Sequence, residues 1–136
     1  MTADDLITRF EAAGATMLAL PSRGYSTQLR TTKFDVLQSA MEAYGWQAAA
    51  ARPQMPSAAE ISRMDEAFGW LTIIPETKYV LRRIVGARAL VHPISGRHLF
   101  PWRRIGAMLG ADHKSAQRWH GQGIGLIVEG LNARRK

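Results

Sequence analysis

The segment WRRIGAMLGADHKSAQRW, Trp102 to Trp119, leaves this chain few ways to fold. With Trp102 as the first position, apolar Ile105 and Leu109 fall at the fourth and eighth, small Gly106 at the fifth and Gly110 at the ninth. Apolar residues four apart make one face of a helix, and Gly110 ends that helix at a position that calls for positive φ. Asp112 is placed to cap a second helix. On that helix Ala116 and Trp119, three apart, turn back toward Ile105 and Leu109, while Gly106 leaves room for the two helices to approach closely. His113, Lys114, Gln117 and Arg118 are left facing outward.

A helix, a tight glycine turn and a second helix form the unit that lays its second helix in the DNA major groove. Arg to guanine and Gln to adenine are the pairings that groove favours, so His113, Lys114, Gln117 and Arg118 are the expected base-reading residues. Arg103 and Arg104 open the first helix, which crosses the sugar–phosphate backbone in such units. Together with Arg97 and Ser115 they are expected to hold phosphates. Charge agrees. From Pro75 to Lys136 twelve basic residues stand against three acidic ones, whereas residues 1–74 hold six basic and eight acidic residues. A basic half of this kind suits a polyanion, because each neutralised phosphate releases counterions. The expected partner is double-stranded DNA.

With 136 residues, 46% of them hydrophobic, the chain suffices for one core. It has no cysteine, which excludes disulfides and thiolate metal sites and suits a reducing compartment. The opening MTADDLITRF lacks a basic leader, and the longest apolar run, Phe68 to Ile74, is far shorter than a membrane span. A cytoplasmic protein without a membrane partner is expected.

Helical periodicity dominates the rest. Thr2 is placed to cap a first helix bearing Leu6, Phe10, Met17 and Leu20, which ends before the turn at residues 21–24. Phe34, Leu37, Met41 and Tyr44 mark a second helix, 34–46. RPQMPS, residues 52–57, reads as a linker because neither proline continues a helix interior. It divides residues 1–56, a helical segment for packing or oligomerisation, from residues 57–136, the DNA-binding domain. Ser57 and Glu60 spell a capping box for a third helix carrying Ile61, Met64, Phe68 and Leu71. Pro75 opens the next helix, with Val80, Ile84 and Ala87 as its buried stripe and Lys78, Arg82, Arg83 and Arg88 toward solvent or phosphate. Residues 91–101 read as a loop or short hairpin. Glycines at 121, 123 and 125 are expected to break or loosen the chain before a closing helix with Ile124, Ile127, Val128 and Leu131. The fold class is all-α, with a C-terminal helix-turn-helix preceded by two supporting helices.

The segments SRMDEAFGWL (62–71), WRRIGAMLG (102–110) and RWHGQGIGLIVEGLN (118–132) resemble a family of bacterial and prophage-borne proteins defined as a domain of unknown function. The resemblance runs from Ser57 onward and, more loosely, over the first helix and the AYGW at 43–46. Its motif half is similar to the helix-turn-helix of region 4 of bacterial sigma factors, in which two helices buttress the motif. The resemblance implies DNA binding without naming a target. The loop at 91–101 is longer than in that arrangement, so the angle of helix 102–109 does not follow from it.

Catalytic and metal chemistry find little support. His92 and His98 are six apart and His113 and His120 seven apart, unlike the spacing of zinc ligands. Asp112, Ser115 and His120 have the residue types of a hydrolytic triad but crowd onto one short helix, and adjacent Asp65 and Glu66 diverge on theirs. GQGIG, 121–125, follows a helix rather than a strand and lacks the lysine of a phosphate-binding loop. No enzyme activity, cofactor or metal is expected. Trp102 and Trp119 are expected to lock the helix pair. The function these features imply is a sequence-preferring DNA-binding regulator of phage or mobile-element type, acting as a homodimer or higher homo-oligomer. Two alternatives share the fold: a small terminase subunit that recognises a packaging site beside a large terminase subunit, and a sigma-like module that touches RNA polymerase.

Overall fold

The computed structural model describes residues 1–20 and 55–134. The expected turn at 21–24, the helix at 34–46, residues 52–54 of RPQMPS, and Arg135 and Lys136 lie outside them. The described residues form α1 (Ala3–Ala19), α2 (Ala58–Gly69), α3 (Tyr79–Ala89), α4 (Trp102–Leu109) and α5 (His113–Arg134), with 3-10 turns at Trp70–Ile73 and Glu76–Lys78. Among them there is no strand. The loop after α3 makes one antiparallel bridge between Val91 and His98, turning at Gly96 with φ 73°. The all-α expectation holds for the described residues.

Both predicted starts are built by reciprocal caps. The Thr2 hydroxyl accepts from the Asp5 amide at 3.2 Å while the Asp5 carboxylate accepts from the Thr2 amide at 3.4 Å. Ser57 and Glu60 repeat the pattern at 3.2 and 3.1 Å. Each box satisfies two amides that the first helical turn leaves without carbonyl partners. The hydrogen bonds from Thr2 hold the Asp5 carboxyl below its ordinary pKa, and those from Ser57 do the same for Glu60. α2 ends at Gly69, earlier than periodicity suggests, and the chain tightens into a 3-10 turn that carries Leu71 and Ile74 into the core before Pro75.

α3 is the central element. Leu81, Arg82, Ile84, Val85, Gly86, Ala87 and Ala89 are all buried on it. α1 lays Leu6, Phe10, Ala13 and Met17 into the same core, with Phe10 stacked on Phe68 of α2 at 6.5 Å between ring centres. The apolar face of α1, which the sequence leaves open to packing or oligomerisation, is therefore used within its own chain. Gly14 sets how closely α1 crosses the end of α3, since a β-carbon there would stand 1.9 Å from the carbonyl oxygen of Ala89.

Three sequence expectations are corrected around α3. The stripe expected through Val80 passes instead through Leu81: Val80 is 48% exposed and Leu81 8%. Arg82, expected toward solvent or phosphate, is 5% exposed, and its Nε donates to the Ile74 carbonyl at 2.7 Å while Nη2 reaches the Ile74 and Thr72 carbonyls. It satisfies carbonyls that the ending 3-10 turn leaves without amide partners. Arg83 and Arg88 are half-buried, which leaves Lys78 as the exposed cation of the four.

The third correction concerns the glycines. α5 does not break at 121–125 but runs unbroken from His113 to Arg134, about 33 Å at 1.5 Å per residue. Each glycine costs about 1 kcal/mol relative to alanine in a helix interior. Packing offsets this at two of them. A β-carbon on Gly123 would stand 2.8 Å from Val85 Cγ2, and one on Gly130 would stand 2.5 Å from Ile73 Cγ2, so these glycines let α5 lie close on α3 and the 3-10 turn. Ile124 and Ile127 on the same face are buried.

The glycines thus divide into two classes with opposite expected responses. Gly14→Ala drives a methyl group into backbone and should destabilise by about 3 kcal/mol, the upper end for overpacking. Gly121→Ala meets nothing within 4 Å and should stabilise by up to about 1 kcal/mol. Chemical denaturation followed by far-UV circular dichroism measures both, and a Gly14→Ala protein as stable as the parent would refute the close crossing.

Candidate nucleic-acid interface

α4 and α5 meet through a left-handed glycine. Gly110 adopts φ 70° and ψ 27°, and its amide closes α4 onto the Ala107 carbonyl at 3.2 Å. The Ala111 amide then returns to the Gly106 carbonyl at 2.8 Å. A β-carbon on Gly106 would stand 2.8 Å from the Ala111 carbonyl oxygen and 2.9 Å from Asp112, so only glycine lets the turn fold back over α4. Ile105 and Ala116 are fully buried on the two sides of the pair. Asp112 caps α5 by accepting from the Ser115 amide at 2.8 Å, and hydrogen bonding from Ser115 holds its carboxyl below the ordinary range.

The two helices separate the expected site residues by depth. On α5 the buried line runs through Ala116, Gly123, Ile124 and Ile127. Lys114 and Arg118, four apart, point away from it and are exposed, with exposed Gln117 on their flank. The Arg118 guanidinium donates to Ser115 Oγ at 3.1 Å, which lays it along the first turn of α5 beside Asp112. His113 sits three residues before Ala116 and seven before His120, on the inward side, and is half-buried. Arg103 and Arg104 are exposed on the first turn of α4, and the Arg104 guanidinium lies 5.3 Å from the centre of the Phe100 ring. Arg97 is exposed in the loop that precedes α4, and Ser115 is half-buried beneath Arg118. The exposed members of the set are Arg97, Arg103, Arg104, Lys114, Gln117 and Arg118.

What holds this pair on the rest of the fold was not legible from residue spacing. Trp102, the first residue of α4, is half-buried with the Arg88 guanidinium 4.3 Å from its ring centre and the His120 ring edge-on at 5.0 Å. One indole thereby joins α3, α4 and α5. Trp119 turns elsewhere, toward Lys78, Val80 and Leu81 at the start of α3. His98 ties the preceding loop to α3 and α1, with Nδ1 2.9 Å from the Arg88 carbonyl oxygen and Nε2 3.1 Å from a Glu11 carboxylate oxygen. These contacts join residues far apart in sequence, and no local pattern announces them. Among the described residues no three His, Cys, Asp or Glu side chains are grouped as a metal site would need, and no helix is long and apolar enough to cross a membrane.

The geometry defines an all-helical module with a glycine-turned helix pair mounted on a three-helix support. The chain belongs to the family described as a domain of unknown function (DUF6362), whose model matches residues 19–127. The matched span begins well ahead of Ser57 and leaves nearly all of α1 outside. No curated protein and no solved structure matches the chain.

The position of His120 has a consequence for stability. Burial, then the charge of Arg88, then His98 push its pKa down to about 4 from 6.5. A histidine depressed in the folded state is protonated first in the unfolded chain, so its effect on stability is constant above pH 6.5 and unfavourable as pH falls from there toward 4. Between pH 7 and pH 5 this amounts to about 2 kcal/mol. Urea denaturation at the two pH values should show that loss, and His120→Phe should remove most of it. A variant with the same pH dependence as the parent would mean that His120 titrates normally.

Proposed function

We propose that this protein binds double-stranded DNA with sequence preference, as a transcriptional regulator of phage or mobile-element type. In this reading α4 and α5 form a helix-turn-helix with α2 and α3 as the supporting pair, the order found in region 4 of sigma factors. The observation that carries the reading is the helix pair itself. Gly106 and Gly110 close it tightly, and its outer surface bears Arg103, Arg104, Lys114, Gln117 and Arg118, with the capping carboxylate of Asp112 as the acidic group beside them. A second helix so mounted can enter the major groove with its first two turns against base edges, while the start of the first helix lies on the backbone. Lys114, Gln117 and Arg118 are the readers, and half-buried His113 stands at the base of that surface. Arg118 exchanges its hydrogen bond to Ser115 for one to a base. Arg97, Arg103, Arg104 and Ser115 hold phosphates.

Binding to duplex DNA, followed by fluorescence anisotropy, should weaken steeply as salt rises. Each phosphate contact should add about 0.9 to the slope of log K against log salt concentration. A folded sample that leaves duplex DNA unbound at low salt would end the nucleic-acid reading.

Reading and holding are then separable on the preferred site recovered by selection from random duplexes. Arg118→Ala should cost about 1–3 kcal/mol on that site and little on unrelated sequence, whereas Arg103→Ala should weaken both alike and lower the salt slope by about 1. Equal losses on every sequence from both variants would show that α5 is not the reader.

A further inference from the structure

A half-open cavity of about 320 Å³ lies where α1, α3, α4 and α5 converge, on residues that the DNA-binding reading leaves unused. Its apolar side is made by Ile7 and Phe10 of α1, Val85 of α3 and Ile124 of α5. Its polar side carries Glu11, Arg88, His98 and His120, with Trp102 between. We propose that this cavity binds a small organic acid, its carboxylate meeting Arg88 and its apolar body lying against Phe10, Val85 and Ile124.

The charges around the cavity select the ligand class. The Glu11 carboxylate lies 3.1 Å from His98 Nε2. Arg88 is not paired in the same way: its guanidinium lies against the Trp102 ring and donates to the Phe100 carbonyl at 3.3 Å, and no carboxylate among the described residues makes an ion pair with it. A half-buried guanidinium with only a long hydrogen bond to a neutral oxygen favours an arriving anion, and a carboxylate matches its planar fork in two parallel bonds. Burial lowers the pKa of Arg88, and the Glu11 carboxylate across the cavity offsets this only in part, as expected of a cation stripped of water without full compensation. His120 adds an uncharged ring nitrogen near neutral pH, so it can hydrogen-bond a ligand without adding a further fixed charge to those of Arg88 and Glu11. Inorganic phosphate alone would leave the apolar side in contact with water, and a neutral molecule would leave Arg88 as it is. The volume lies at the low end of ligand cavities, which limits the body to one ring or a short chain.

Titration of the isotope-labelled full chain with phenylacetate, followed by NMR, tests the proposal without DNA. Phenylacetamide serves as the neutral isostere and inorganic phosphate as the anion without an apolar body. Phenylacetate should bind saturably at millimolar concentration or below and shift the Trp102 indole and Ile124 amide signals. Phenylacetamide should bind at least about tenfold more weakly. Phosphate should leave those signals in place. Arg88→Gln should abolish the preference for the acid over the amide, and Ile7→Phe, which fills the cavity from α1 and keeps Arg88, should abolish binding of both. Any one of three results overturns the site: no saturable shift at Trp102 and Ile124, equal affinity for acid and amide, or phenylacetate shifts confined to the Lys114–Arg118 surface. The three probes on the unaltered chain decide the matter even if either variant fails to fold.

Discussion

The fold depends on covering α3 on most of its sides. Seven residues of an eleven-residue helix are buried, one of them an arginine, and a helix buried on so much of its circumference is stable only once other elements enclose it. α1 and α5 both close on it through glycines, Gly14 against the Ala89 carbonyl and Gly123 against Val85. The 3-10 turn before it closes the remaining approach. Arg82 makes that closure possible, because its guanidinium answers the Thr72 and Ile74 carbonyls where the turn ends and no helical amide follows. Without that donor the Ile74 carbonyl would be buried unsatisfied, at a cost of about 1–3 kcal/mol.

This arrangement also determines how the helix pair is carried. α4 has only eight residues and is too short to hold its own orientation, so its direction is set by what Trp102 and Ile105 touch. Trp102 meets Arg88 from α3 and His120 from α5, while α5 is itself fixed along α3 at Gly123, Ile124 and Ile127. The first two turns of α5 therefore pack Ala116 and His120 inward and present Lys114, Gln117 and Arg118 on the outer face of a long helix whose remainder lies on the core. A surface presented this way moves with the core rather than with a loop, as recognition by several side chains at once requires.

Where sequence and structure agree, the information was local. Ser57 and Glu60, three apart, can satisfy each other's amides whatever else the chain does, and Gly110 had to take positive φ for α4 to end where its apolar pair ends. The same holds for Gly106, whose closeness to the turn follows from its place one helical turn before Gly110. Where they differ, a distant partner overrides the local signal. Gly123 reads as a helix breaker on propensity, yet its missing side chain is what Val85 requires, as that of Gly130 is what Ile73 requires. Arg82 read as a surface cation because nothing in its neighbourhood of sequence shows that the Thr72 and Ile74 carbonyls will lack donors. Periodicity puts the stripe of α3 through Val80 because a helix buried on most of its circumference has no single stripe to find.

The burial of arginines changes what the basic half of the chain can mean. Counted in sequence, Arg82, Arg83 and Arg88 belong to a positive surface, but in the fold one caps carbonyls, one is half-buried with its Nε lacking a partner among the described residues, and one lies on Trp102. Counterion release rewards only charge that reaches phosphate, so these three do not contribute to it. The exposed cations near the helix pair remain: Arg97, Arg103, Arg104, Lys114 and Arg118. They lie on α4, on the start of α5 and on the loop before them, so five exposed cations share the surface that the glycine turn creates. Net charge alone would suit any polyanion. In the proposed reading it is the coincidence of the remaining charge with the outer face of a helix carried on the core that points to duplex DNA rather than to an acidic protein or a membrane.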